Sequence, residues 1–353
     1  MDDFTLTARI IAKTAEYLDF PSVVGHETPF LDYLERDFSA AGFAVTRRRN
    51  LTIVETGTAG PIHCAHVDRH GVIMDGQGHG NFAAFAVKTE KYGQMAAPSQ
   101  SLFDKIASRY RGEEMFAYDR QTGGRLAYGD VEDVILDTDN ERVRFHFRGL
   151  PLLPEGTPVA FARTVQREGE NLVSGQLDNP LSAALLRVAA EAGLTGKIVF
   201  AAEEEIGRSA GHILQWAGER MSSFSEFLVI DTSPFADGAE AARGTVVLRR
   251  KDANGAFDEA MVAQLSNGAE ELGIPVLFKD AFIEAANEKA RAAGEPEQGL
   301  GITELGRLVT LSQGQFTGAT LQIPTWNYHS NRETTAHGAV LNAARLLLSI
   351  SNR

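Results

Sequence analysis

From Asp178 onward the chain alternates short apolar runs with helically spaced apolar stripes, and this rhythm constrains the fold more than any other feature. Asn179 stands where a helix cap belongs and Pro180 suits a first helical turn. Leu181, Ala184, Leu185 and Val188 then form one apolar stripe. Residues 197–202 read as a strand, 210–221 as a helix and 226–230 as a strand. Further helices are expected at 257–272, 280–293 and 334–350. Upstream, residues 5–18 and 27–41 carry helical stripes, and Gly42 supplies a left-handed stop. Strands follow near 43–46, 51–55 and 62–66. Parallel strands need a crossover long enough to hold a helix, so the pattern implies an α/β fold. The expected core is a mostly parallel mixed sheet flanked by helices.

One stretch breaks the rhythm. Val143-Arg144-Phe145-His146-Phe147-Arg148 alternates apolar and polar side chains, and turn-forming residues fill 149–156. Residues 73–171 therefore read as an inserted β-rich domain. It interrupts an α/β domain made of 1–72 and 172–353, where the candidate catalytic residues lie. Residues 101–110 are the exception, with Leu102, Phe103, Ile106 and Tyr110 at helical spacing.

Composition sets outer limits. The chain has 353 residues, enough for a large core, and a net charge of -13. That charge excludes a general phosphate-binding surface, so no nucleic acid is expected as a partner. Arg47-Arg48-Arg49 reads as a solvated strand end. No apolar run approaches the length of a membrane span, so no membrane partner is expected. Met1-Asp2-Asp3-Phe4 lacks the basic and apolar regions of a signal peptide, which makes a cytoplasmic location the expectation. The single cysteine, Cys64, reads as a small buried hydrophobe.

His66, Asp178, Glu205, Asp231 and His329 are candidate metal ligands. His66, the Glu203-Glu204-Glu205 run and Asp231 each follow an apolar strand, so three strands deliver them to one sheet edge. Alone, each residue has a plainer reading: a structural histidine, a helix cap, a solvated charge run, a turn residue, a loop histidine. Together they form two imidazoles and three carboxylates, a donor set for two divalent cations if one carboxylate bridges. Asp68 lies two residues beyond His66, on the same face of an extended chain. It is expected to accept the second imidazole N–H of His66 and fix its tautomer. His26, His63, His70, His79, His146, His212 and His337 lack a comparable setting, His70 being the nearest to the group.

These residues resemble the M42 family of metallo-aminopeptidases, within the clan of co-catalytic zinc exopeptidases. The resemblance is carried by Ala65-His66-Val67-Asp68, Gln176-Leu177-Asp178-Asn179, Glu204-Glu205-Ile206-Gly207, Val229-Ile230-Asp231, and Ile323-Pro324-Thr325 running on to His329-Ser330. The insertion between His66 and Asp178 distinguishes M42 from the related M20 peptidases. The resemblance implies one metal on His66, Asp178 and Asp231 and a second on Asp178, Glu205 and His329, with Asp178 bridging. It implies Glu204 as general base, Asp68 as the partner of His66, and a homo-oligomer, often a dodecamer. Arg69 stands where the family has an acidic residue. Asn179-Pro180 stands where it has aspartate and arginine.

The expected chemistry is hydrolysis of a peptide or small amide at two divalent ions, zinc by ligand type, with cobalt or manganese accepting the same donors. The runner-up is a two-metal deacylase or amidase acting on an N-acylated small peptide or amino-acid derivative. A third reading takes Gly207-Arg208-Ser209-Ala210-Gly211 as a nucleophile elbow with Asp231 and His329, which leaves His66, Asp178 and Glu205 unexplained. A non-catalytic metal-binding scaffold would leave Glu204 without a use.

Overall fold

The structure is a computed structural model that describes residues 1–93, 98–138, 142–162, 165, 171–219 and 225–351. Two helices open the chain, α1 (Asp3–Leu18) and α2 (Thr28–Ala40). Asp2 caps α1 by accepting the Thr5 N–H, and Leu6, Ile10, Ile11, Tyr17 and Leu18 bury its apolar stripe. Strands β1 (Ala44–Arg48), β2 (Leu51–Glu55) and β3 (Ile62–His66) follow.

The next elements build a closed six-stranded barrel from β4 (Val72–Met74), β5 (His79–Phe82), β6 (Glu114–Tyr118), β7 (Arg125–Asp137), β8 (Arg142–Arg148) and β9 (Pro158–Phe161). Helices α3 (Ala83–Tyr92) and α4 (Gln100–Tyr110) lie between β5 and β6. Val72, Val134, Val143, Phe145 and Val159 are buried in a core separate from that of the main sheet. The alternating segment around Phe145 is β8, in which Val143 and Phe145 point inward.

After the barrel come β10 (Leu172–Gly175), α5 (Pro180–Glu191), β11 (Lys197–Ala201), α6 (Ser209–Gly218) and β12 (Ser225–Pro234). Then α7 (Ala239–Ala242), β13 (Val246–Leu248), β14 (Lys251–Asp252), β15 (Gly255–Ala256), α8 (Glu259–Glu271) and β16 (Val276–Phe278) follow. The chain closes with α9 (Lys279–Ala293), α10 (Glu304–Leu311), β17 (Phe316–Thr325), β18 (Glu333–Ala336) and α11 (His337–Ser351).

The main sheet has eight strands in the order β1-β2-β11-β3-β12-β17-β13-β16. Its centre, β11-β3-β12-β17, is parallel throughout, while β1, β2 and β13 join antiparallel neighbours. Helices flank the sheet, with α5 and α11 packed together beneath α1 and with α6 paired to α10. The fold is the mixed α/β arrangement expected.

Three local expectations differ. The helix expected over 334–350 begins only at His337, because Glu333–Ala336 forms β18 and pairs with β10. The adjacent β-branched pair Thr334-Thr335 suits a pleated strand better than a helix. The strand expected over 226–230 runs on to Pro234, so Asp231 lies within it. The helix expected over 210–221 spans Ser209–Gly218, and Met221 lies outside the described residues. Among the described residues no helix is long and apolar enough to cross a membrane.

Candidate metal centre

Parallel pairing brings the sequence-predicted residues to one edge. Ala201 of β11 is level with His66, and Val229 of β12 is level with Cys64. Asp231, two residues on, is therefore level with His66. Glu204 and Glu205 follow β11 directly after Glu203, whose φ is 67°. His329, with φ 59°, sits in the turn after β17. Non-glycine residues in the left-handed region cost free energy, and functional sites are where such strain concentrates. Asp178 lies two residues before α5, whose cap position is Asn179.

The five candidate ligands converge. His66 Nε2 lies 3.0 Å from Asp178 Oδ1 and 3.5 Å from Asp231 Oδ1. His329 Nε2 lies 3.2 Å from Asp178 Oδ2 and 3.6 Å from Glu205 Oε1. Two groups of donors are close enough to share an ion, one of His66, Asp178 and Asp231 and one of His70, Glu205 and His329, each with its donor atoms within 4.8 Å of one another. His70 joins through Nε2, 3.1 Å from Glu205 Oε2.

The electrostatics fit cations. Burial raises the Asp231 carboxyl, despite the His66 hydrogen bond that lowers it. Burial likewise lifts Glu204 well above the ordinary glutamate range, against the opposing pull of His66 and Arg307. At Asp178 burial is outweighed by His66 and His329, which hold the carboxyl well below its ordinary value. At Glu205 burial is outweighed by His70 and His329, leaving a pKa of about 2. Burial opposes a charge on His66, but Asp178 and Asp231 hold its pKa well above normal. Several crowded carboxylates with few counter-charges are what divalent ions would relieve. The mixture of imidazole nitrogen and carboxylate oxygen suits zinc, cobalt or manganese.

Two side chains make contacts beyond those expected from the sequence. The Asp68 carboxylate stands 3.6 Å from His66 Nδ1, too long for a hydrogen bond, and the Asp68 backbone carbonyl is nearer at 3.2 Å. Both carboxylate oxygens are engaged elsewhere: Oδ1 accepts the Glu204 N–H and Oδ2 the Glu205 N–H, each at 2.9 Å. Asp68 thus fixes the glutamate pair. Asn179 occupies the cap position of α5 but makes no capping bond with its side chain. Its Nδ2 donates to the Ile230 carbonyl at 3.0 Å, tying α5 to β12 beside Asp231.

The glutamate run also divides. Glu203 turns away, bonded to Lys91 and, at 3.0 Å, to His212. Glu204 pairs with Arg307 of α10. Three further residues join the site that the sequence reading did not place there. His70 is one, and its position two residues beyond Asp68 was the available signal. Glu333 is another: it is fully buried and accepts the Asp178 N–H at 3.1 Å and the Thr325 hydroxyl at 2.7 Å. Arg307 is the third, and nothing in its local sequence distinguished it.

Ser209 opens α6 and is buried, with its hydroxyl against Glu304. His329 is engaged by Asp178, Glu205 and His70, and no hydrogen bond joins it to Ser209 among the described residues. The nucleophile-elbow arrangement is not assembled here.

Such an α/β sheet with clustered histidines and carboxylates at its parallel strand ends defines the class of zinc-exopeptidase-like folds. The sequence profile of the M42 glutamyl aminopeptidase family matches residues 150–346, and the chain belongs to the M42 peptidase family. Among solved structures it is similar to an aminopeptidase from the archaeon Desulfurococcus kamchatkensis, with 15% identity and a TM-score of 0.70 over 97% of this chain and 94% of that one. The TET1 peptidase of Pyrococcus horikoshii, described as assembling into a tetrahedron or a large octahedral shell, matches with 15% identity and a TM-score of 0.66 over 97% and 99%. A TET aminopeptidase from a marine sediment Thaumarchaeota archaeon matches with 15% identity and a TM-score of 0.68 over 97% and 96%. No curated protein matches the chain.

Proposed function

We propose that this chain is a two-metal aminopeptidase that removes N-terminal residues from peptides. One observation carries the reading. The Asp178 carboxylate offers one oxygen to His66 at 3.0 Å and the other to His329 at 3.2 Å, as a carboxylate shared between two cations would. His66, Asp178 and Asp231 would hold one ion, and Asp178, Glu205 and His329 the other. Bound there, zinc ions would supply Lewis acidity, bringing a water toward deprotonation near neutral pH and polarising the scissile carbonyl.

Glu204 carries the proton in this reading. Burial makes it a stronger base than an exposed glutamate. It takes a proton from the attacking water and hands it to the nitrogen of the leaving amine. Asp68 is a positioning residue, holding the Glu204 and Glu205 backbone without engaging either of their carboxylates. Residues 1–72 and 172–353 make the catalytic domain, and 73–171 the domain that shapes access and assembly. A homo-oligomer of the kind its structural neighbours form, working in the cytoplasm, completes the proposal.

The test is to strip the protein with a chelator, reload it with zinc, and compare peptides bearing a free N-terminus with their N-acetylated forms. Activity should vanish on stripping, return with zinc, and require the free amine. Cleavage of the acylated substrates alone would replace this reading with a deacylase. Turnover that survives complete metal removal would overturn the metal chemistry altogether.

A further inference from the structure

We propose that His70 is a direct ligand of the second metal ion, so that this ion is held by two imidazoles instead of one. The inference rests on the two-metal reading above and concerns a residue outside the five ligands already named.

Geometry carries it. In a tetrahedral zinc site with bonds of about 2.0–2.1 Å, neighbouring donor atoms lie about 3.3 Å apart. The donor separations around Asp178 follow that spacing: 3.0 Å to His66 and 3.2 Å to His329. His70 Nε2 lies 3.1 Å from Glu205 Oε2, and His70, Glu205 and His329 each bring a donor atom within 4.8 Å of the other two. His70 is therefore close enough to add a donor to an ion held by Glu205 and His329.

The backbone delivers it there firmly. Arg69 forms a bridge with Val23, its N–H donating to the Ser22 carbonyl at 2.8 Å and its carbonyl accepting the Val24 N–H at 3.0 Å. The Arg69 side chain turns away to Ser22 Oγ. Alternation along this extended segment then aims His66, Asp68 and His70 to one side. The His70 carbonyl accepts the Gln176 amide at 2.8 Å, two residues before Asp178, so the segment carrying His70 is fixed to the segment carrying Asp178. His70 is buried against Phe82, and its Nδ1 has no hydrogen-bond partner among the described residues.

A second imidazole makes the site richer in nitrogen, which favours zinc and cobalt over manganese. Zinc titration against a chromophoric chelator, done on the wild type and on His70→Ala, gives stoichiometry and affinity independently of turnover. The wild type should bind two ions per subunit. His70→Ala should bind one of them unchanged and the other at least tenfold more weakly. A crystal structure of the zinc-loaded wild type should place His70 Nε2 about 2.0–2.1 Å from the ion. Equal affinities in the two proteins overturn the proposal. So does an ion more than about 3 Å from Nε2, which would leave His70 only holding Glu205 and His329 in place. A wild type that binds fewer than two ions overturns the two-metal reading itself.

Discussion

Glu204 and Asp68 occupy neighbouring positions in space but answer to different physics. Glu204→Gln preserves size and the backbone bonds to Asp68 while removing the proton acceptor. It should keep its metal content on elemental analysis and lose about 10²- to 10⁴-fold in kcat. Near-normal turnover would remove Glu204 from the proposed role. Asp68→Asn is the opposite case, because both oxygens of Asp68 accept backbone N–H groups. An amide has one oxygen, so its NH₂ must face an N–H donor inside a buried site. The variant should lose about 1–3 kcal/mol of stability in urea unfolding, together with activity as Glu204 shifts. Unchanged stability would show that the two bonds are dispensable. Side-chain identity and period-two spacing made His66 and Asp68 legible as a pair. They did not reveal which partner Asp68 takes, because the Glu204-Glu205 backbone arrives from a strand far along the chain. The same non-local closure hid Glu333 and Arg307.

Strand β3 shows what an element demands of its unused residues. Its alternation sends His66 to the candidate site and His63 to the opposite face, where His63 is fully buried. His63 Nε2 donates to the Thr195 carbonyl at 3.1 Å, and burial lowers its pKa from 6.5 to about 4. Below the unfolded value the denatured chain binds a proton that the folded chain refuses. Stability contributed here is therefore complete above pH 6.5 and declines as pH falls toward 4. The loss should reach about 2 kcal/mol between pH 7 and pH 5. His63→Gln retains an N–H donor and removes the titration, so its urea midpoint should fall less over that range. Measuring both proteins in chelator removes any contribution from metal release, and parallel pH profiles would refute the assignment. At this scale the elements with long apolar stripes or unbroken apolar runs were readable, as α5 and β11 show. β18 was not, since four residues ahead of a helix declare themselves a strand only through pairing with Leu172–Gly175.

For the whole molecule, barrel and sheet meet around the candidate centre. Tyr118 of β6 accepts the Val23 N–H at 2.9 Å, next to the Arg69 bridge. Lys91 of α3 pairs with Glu203, beside Glu204 and Glu205, and Glu113 pairs with Arg332 at 3.2 Å in the segment carrying His329. The alternation around Phe145 announced a strand, whereas closure of six strands into a barrel depends on registers that no local pattern encodes. Because loops from both bodies converge on buried carboxylates, their repulsion should be felt as global stability. Divalent ions binding only the folded state stabilise it by mass action, by about 2.7 kcal/mol per site at a hundredfold excess over Kd. Chelation should therefore lower Tm by several degrees, and added zinc should restore it. Asp178→Asn keeps the shape of the bridging position and removes its charge. Because His66 and His329 favour the Asp178 charge, the variant should lower the stability of the stripped protein and also diminish the gain from zinc, since in the proposed reading this carboxylate contributes to both ions. A Tm indifferent to verified metal removal would mean that these carboxylates are balanced without cations.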